Sequence, residues 1–361
     1  MPGGKLRVAV LGLHNHYHIY PMARYIAQGD IPDIEWAGVY DERTSQAEQF
    51  AQEYGLTVRY PTREALFADP NVDAVLVMSD TGAHGRDVLD CAKHGKHVLL
   101  DKPISITTDE AERMVQAADD ANIVLMMAYL IRYLPPYIKA RQLIEKGVIG
   151  KPLTMKISIR CPLYFITDSP DAKEPGWYVD PKRGGYGGFN DHGIHYTDIM
   201  RYLLGSEPAT VFGRVAKLKH KELEVDDYGV CVVTMDGGEI VTIESTWHAP
   251  GWYAPMISQE ECLIVGTEGE IHIHYQKSPQ MEVSGSGIQG REYYDWQGDD
   301  RYEVCYRECL QDFVNVVRGS SPLSVSGRDG LQALRVIEGA YRSSETGRLV
   351  QLSEIGGRVA R

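Results

Sequence analysis

The sequence has no apolar run long enough to cross a bilayer as a helix. The longest, Ile123–Ile131, is nine residues, against the roughly 20 that a span requires. The opening MPGGKLRVAVLGL has no apolar stretch followed by a small-residue cleavage site. Positive charge is also short: 37 Lys+Arg face 50 Asp+Glu, a net charge of -13. That balance argues against nucleic acid or a membrane surface as partner, because phosphate-rich surfaces require a basic face. The six cysteines, Cys91, Cys161, Cys231, Cys262, Cys305 and Cys309, form no CxxC pair, so neither a zinc knuckle nor a disulfide framework is indicated. No internal repeat or low-complexity tract occurs. These absences point to a cytoplasmic protein. The rest is ordinary globular composition, 43% hydrophobic and 24% charged over 361 residues, enough for two or three domains.

Up to about residue 130, apolar segments alternate with amphipathic ones. Leu6–Leu13, Ile34–Tyr40, Val72–Met78, His97–Leu100 and Ile123–Ala128 read as buried strands. Residues 43–54, 83–94 and 108–121 carry apolar side chains at helical spacing. This alternation is the signature of an α/β fold, a doubly wound parallel sheet covered by helices on both faces. Beyond residue 150 the pattern changes to strand-like segments at 154–160, 211–217, 230–235, 240–246 and 262–265, with glycine turns at 236–238 and 266–269. A second α+β domain with a large, open, mostly antiparallel sheet follows. Helices are expected at 135–147, 191–204, 303–318 and 329–345. The division falls between residues 1–130 and 131–361. Residues 162–184 form the longest irregular stretch, and such stretches in compact domains are usually functional.

The first expected strand ends at Gly12, where a dinucleotide-binding GxGxxG would begin. The chain reads Gly12-Leu13-His14-Asn15-His16-Tyr17, with only the first glycine in place. Asp41, at the end of the second strand, suits ribose hydroxyls and repels a 2′-phosphate, which favours NAD over NADP. His14, His16 and His18 invite a metal, but no nearby carboxylate or cysteine completes a ligand set. Phosphate contact at a helix N-terminus suits the segment better. Asp101-Lys102-Pro103 follows the fourth strand, where ligands of open α/β sheets bind. Asp191 and His195 are four apart, on one face of an expected helix, and a carboxylate beside an imidazole suits proton transfer. Gly184-Gly185-Tyr186-Gly187-Gly188, just upstream, is expected to let backbone approach a ligand. Most tryptophans lie beyond residue 150. Of the candidate pocket aromatics, which include Tyr178, Trp247, Trp252, Trp296 and His248, Tyr164 and Trp177 are the ones expected to meet substrate.

Together these segments resemble the Gfo/Idh/MocA oxidoreductase family. The features in family order are Gly12, Asp41, His84, Gly95-Lys96-His97-Val98-Leu99-Leu100-Asp101-Lys102-Pro103, Arg132-Tyr133-Leu134-Pro135, Gly185 to Asp198, and Ser343-Ser344-Glu345-Thr346-Gly347. The resemblance covers nearly the whole chain and implies a Rossmann domain. It further implies an NAD(H)-dependent dehydrogenase or reductase acting on a sugar- or polyol-like secondary alcohol or ketone. Lys102, Asp191 and His195 correspond to the family's catalytic triad. Cofactor contacts are expected from Gly12, His14, Asn15, His16, Asp41, Ser79, His84, Asp101 and Lys102, and substrate contacts from Arg132, Tyr164, Trp177 and His192. The chain departs from the family pattern at His14 and Tyr17, at Asp80-Thr81-Gly82 in place of a proline-containing turn, and at Asp101 in place of glutamate. The resemblance leaves room for transient oxidation without net redox, as in hydrolysis or epimerisation, and for a non-catalytic nucleotide or sugar sensor. An open sheet with an apolar face needs a cover, so a homodimer or homotetramer is expected.

Overall fold

The computed structural model of the protein describes residues 4–163, 176–249, 259–274, 277–288, 290–296 and 303–356. In the first part, β1 (Leu6–Leu11), β2 (Ile34–Tyr40), β3 (Ala74–Val77), β4 (His97–Leu100) and β5 (Leu125–Met127) form a five-stranded sheet in the order β2-β1-β3-β4-β5. Every pairing is parallel. The apolar runs of β3 and β5 are wholly buried, as a sheet covered on both faces requires. The covering helices are α1 (His16–Gln28), α2 (Thr44–Tyr54), α3 (Arg63–Ala68), α4 (Thr81–Lys93) and α5 (Thr108–Asp120). In α5, Thr108, Ala111, Met114, Val115 and Ala118 face inward at helical spacing, and the Thr107 hydroxyl accepts the Glu110 N–H at 3.3 Å to start the helix. Because β1 lies between β2 and β3, the chain leaves β1 and β3 in opposite directions and opens a crevice at their carboxyl ends.

The second sheet has nine strands: β6 (Pro152–Arg160), β7 (Pro208–Ala216), β8 (Tyr228–Met235), β9 (Ile240–Thr246), β10 (Gln259–Gly266), β11 (Gly269–Ile273), β12 (Met281–Gly285), β13 (Arg291–Tyr294) and β14 (Val350–Gln351). Their order is β13-β12-β11-β10-β6-β9-β8-β7-β14, with only the β6–β9 pair parallel. Helix α6 (Pro135–Glu145) leads into it. Helices α7 (Gly188–Leu204) and α9 (Gly327–Thr346) cover its inner face, and α8 (Val304–Val317) packs on α1. Met155, Ile157, Cys231, Val233, Val241 and Ile243 point inward and are buried. On the outer face, Phe212 lies directly opposite Val232 and Ile240 opposite Thr234; the three apolar side chains are 42–48% exposed.

The expected elements appear within a few residues of their limits. Helix α3 and the short strands β11–β14 have too few residues to carry a periodic signal and were not anticipated. Among the described residues, no helix is long and apolar enough to cross a membrane.

Candidate functional site

At the nucleotide end, Gly12 has φ +81°, and a Cβ there would lie 2.6 Å from the Ser79 Cα, so only glycine fits this turn. The N–H groups of His14 and Asn15 both donate to the Met78 carbonyl, at 3.1 and 3.2 Å, tying the β1–α1 turn to the end of β3. Asp41 accepts the Leu13 N–H at 2.6 Å and a forked pair from Arg43, Nε at 2.8 Å and Nη2 at 2.9 Å. Burial works against its charge, but the Arg43 hydrogen bonds and charge outweigh that and hold the carboxyl below its usual range. A cavity of about 430 Å³ opens here, lined by Gly12, His14, Asp41, Ser79 and Ala83 among others. Its far wall is Lys182, from a segment whose Arg183 carbonyl accepts the Gly82 N–H at 2.8 Å and whose guanidinium pairs with Asp80 at 2.8 Å.

His14 therefore lines the cavity where the second fingerprint glycine would stand and does not plug it. Its Nδ1 is buried with no hydrogen-bond partner among the described residues, and burial together with Arg43 lowers its proton affinity. The glycine cradle, the ribose-type carboxylate and an unpartnered imidazole nitrogen fit the adenosine and phosphate portion of NAD.

At the other end, Lys102 Nζ donates to the Asp191 carbonyl at 2.8 Å and to its Oδ1 at 3.1 Å. Trp247 Nε1 donates to Asp191 Oδ2 at 2.9 Å, and His192 Nδ1 lies 2.9 Å from the same oxygen. Burial would raise the Asp191 pKa, yet His192, Lys102 and the indole hold it far below the carboxylate range. Burial opposes the charge of His192 in turn, but Asp191 lifts it to about 10, so it is an imidazolium at neutral pH. His195, one turn along α7, sits among the rings of Tyr129, His192 and His18 at centroid distances of 5.9, 6.3 and 6.5 Å. Its Nδ1 is buried without a hydrogen-bond partner among the described residues. Burial and the neighbouring cations push its pKa well below the usual value, so it is a neutral base. Two groups distant in sequence, Lys102 and Trp247, thus meet the neighbouring His192 around one carboxylate.

Several expected contacts fall elsewhere. The glycines before α7 meet protein: a Cβ on Gly184 would lie 2.6 Å from the Tyr178 carbonyl oxygen, and one on Gly187 would strike the Asp226 backbone. Asp226 accepts the Gly187 and Phe189 N–H groups at 3.0 and 2.8 Å, which seats the start of α7. Arg132 is spent on Asp198, at 2.6 and 2.5 Å, and on the Ser324 carbonyl at 2.9 Å, and it braces the 3-10 turn Leu130–Tyr133 against α7. His84 is fully buried with Nδ1 2.9 Å from the Pro103 carbonyl and Nε2 3.2 Å from that of Ser79, an internal staple with no face for a cofactor. Asp101 turns inward, binding Asn15 Nδ2 with Oδ2 and His18 Nδ1 with Oδ1 at 2.7 Å. Asn15 Nδ2 also reaches the Tyr178 hydroxyl at 3.2 Å. His16 packs on Tyr17 at 3.9 Å. Trp177 is buried and donates its indole N–H to the His14 carbonyl at 3.2 Å, so it seals the β1–α1 turn. Tyr164 and Trp252 lie outside the described residues.

Of the three clustered histidines, His14 approaches Glu42 at 3.7 Å, His16 faces tyrosines and His18 holds Asp101. Among the described residues no group of three His, Cys, Asp or Glu side chains is arranged to hold a metal. The sequence offers Trp247 only as one of several pocket aromatics and His18 only as part of the histidine cluster; their places beside Asp191 and Asp101 depend on tertiary contacts without a local signal.

A parallel sheet with a dinucleotide crevice, joined to a second sheet that brings an acid–imidazole helix to a lysine, defines a two-part NAD-binding oxidoreductase. Residues 6–129 match the model of the oxidoreductase family with NAD-binding Rossmann fold, and residues 137–272 match the GFO/IDH/MocA C-terminal domain. The chain belongs to the Gfo/Idh/MocA family of oxidoreductases. It is 30% identical over 332 residues to the myo-inositol 2-dehydrogenase of Thermotoga maritima, covering 91% of this chain and 94% of that protein. It is 28% identical to the NAD(+)-dependent scyllo-inositol 2-dehydrogenase of Bacillus subtilis, over 96% of each. A crystal structure of a probable dehydrogenase from Thermotoga maritima superposes with a TM-score of 0.80 at 28% identity, over 97% of this chain and 100% of that one.

Proposed function

We propose that this oxidoreductase interconverts a secondary alcohol and a ketone of a ring polyol or sugar, with Lys102, Asp191 and His195 as its reaction centre. The observation that carries the reading is the Lys102 ammonium, 3.1 Å from an Asp191 carboxylate that shares its helix with a neutral, buried imidazole at i+4. Bound NAD+ supplies the hydride acceptor. His195 takes the hydroxyl proton as hydride leaves the same carbon. Lys102 donates a hydrogen bond to the reacting oxygen, and Asp191 fixes the ammonium and balances its charge. The His192 imidazolium adds positive potential where alkoxide character develops, and we assign it to the substrate side. Relatives named inositol 2-dehydrogenases support a polyol as substrate.

Gly12, His14, Asp41 and Ser79 are assigned to the cofactor, and the Asp41 carboxylate favours NAD over NADP. The cofactor part is assigned to residues 1–130 and the substrate part to 131–361, in a cytoplasmic enzyme. The apolar patch of Phe212, Val232 and Ile240 supports burial against a second copy, giving a homodimer or homotetramer. Incubating the purified protein with NAD+ and myo-inositol is expected to yield reduced nicotinamide and a ketone in equal amounts. Absence of reduction across a broad polyol and sugar panel overturns the reading.

A further inference from the structure

His18 stands outside the roles assigned so far. It lies in the first turn of α1, on the nucleotide side, yet its ring is 6.5 Å from that of His195 at an interplanar angle of 75°. The Tyr306 ring also lies 5.9 Å from that of His18. Asp101 carries one side chain on each carboxylate oxygen, Asn15 just before α1 on Oδ2 and His18 in its first turn on Oδ1. With Nδ1 turned to the carboxylate, Nε2 is the nitrogen left for a further hydrogen bond. A carboxylate-held imidazole thus faces the reaction centre from the cofactor half, as His195 does from the sheet half. A strut between α1 and β4 would need no second imidazole beside the base.

We propose that His18 Nε2 hydrogen-bonds a substrate hydroxyl adjacent to the one that His195 deprotonates. This rests on the reading of the site as one for a polyhydroxylated substrate. Hydroxyl–imidazole hydrogen bonds are short, so two rings this far apart can each take one of two neighbouring hydroxyls on a single ring. His18 is then a specificity residue that selects vicinal diols and fixes which carbon faces the nicotinamide. Asp101 is its positioning partner.

The test uses the whole enzyme, with NAD+ as oxidant of myo-inositol and NADH as the binding probe. His18→Ala is expected to raise the KM for inositol about three- to tenfold, as loss of one hydrogen bond implies, while kcat and the Kd of NADH, read from fluorescence, stay within about twofold. A rise in the Kd of NADH with unchanged KM means that the hydroxyl belongs to the cofactor ribose and overturns the proposal. A fall in melting temperature with both constants unchanged means that His18 is only a strut, and overturns it too. Should the variant fail to fold, histidine 15N spectra of the wild-type NADH complex decide. The His18 Nε2 signal is expected to move when excess inositol is added. A signal that stays in place in an enzyme that oxidises inositol contradicts this inference alone, whereas no oxidation of any polyol counts against the functional reading beneath it.

Discussion

Two buried carboxylates, one at each end of the crevice, are satisfied in different ways. Asp41 is neutralised by Arg43, two residues away, and accepts the backbone N–H groups of Arg43 and Leu13. Asp191 is held by Lys102, 89 residues away, by Trp247, 56 residues away, and by its neighbour His192. The first pairing forms with the local turn, so the nucleotide end depends little on the rest of the molecule. The second exists only when both sheets have folded and met. Binding is therefore prepared locally and chemistry globally, and substitutions at the two ends have separable effects.

The largest expected effect breaks the long-range pair. Lys102→Ala removes a charge-assisted donor from the reacting oxygen and leaves Asp191 short of one partner; kcat/KM is expected to fall at least about 100-fold. NADH affinity should stay within about threefold if transition-state contacts alone are lost. An enzyme of wild-type turnover would end the triad assignment. Next comes the turn that makes the nucleotide end. Gly12→Ala forces a Cβ into Ser79 at a left-handed backbone position and should cost about 1–2 kcal/mol or more. The cost should appear as a lower melting temperature with weakened NADH binding, and unchanged NADH affinity would show that this turn does not shape the cofactor site.

A smaller effect sharpens the comparison through cofactor choice. Asp41→Ser removes the carboxylate that repels a 2′-phosphate and frees Arg43, so the NADP+/NAD+ ratio of kcat/KM should rise. If that ratio is unchanged, Asp41 is a purely structural partner of Arg43. The mildest effect is on pH. His192 is raised from 6.5 to about 10, so its stabilisation is complete below about pH 6.5 and is lost as pH climbs through 10. Asp191 is depressed, so its share is present above about pH 4 and lost below it. Melting temperature should therefore be highest between these limits and decline toward pH 10, and His192→Gln should flatten the alkaline decline. The same variant removes a cation beside His195 and should move the acid limb of kcat/KM upward. Identical alkaline slopes in both proteins would dissolve the Asp191–His192 pair.

The contrast between the two carboxylates also explains how much was legible in the sequence. β2 and β4 have the limits their apolar runs suggest, and the i, i+4 spacing of Asp191 and His195 puts both on α7 as expected. The glycine run before α7 was readable as a close approach, but not what approaches: it is the Asp226–Asp227 backbone and Tyr178, not a ligand. Arg132 and His84 carry family-like positions, and their hydrogen-bond capacity is consumed by Asp198 and by two backbone carbonyls respectively. Trp247 and His18 are legible only as a pocket aromatic and a member of a histidine cluster, because nothing near them in the chain records that Asp191 and Asp101 will fold against them.

Hydride transfer in a single turnover separates binding from chemistry most directly. Enzyme loaded beforehand with NAD+ is mixed with myo-inositol, and the appearance of reduced nicotinamide is followed in wild-type and His195→Ala proteins. Reduction in the wild type, at least about 100-fold slower in a variant of equal NADH affinity, is the expected result. Equal rates in the two proteins would contradict the placement of the base on α7.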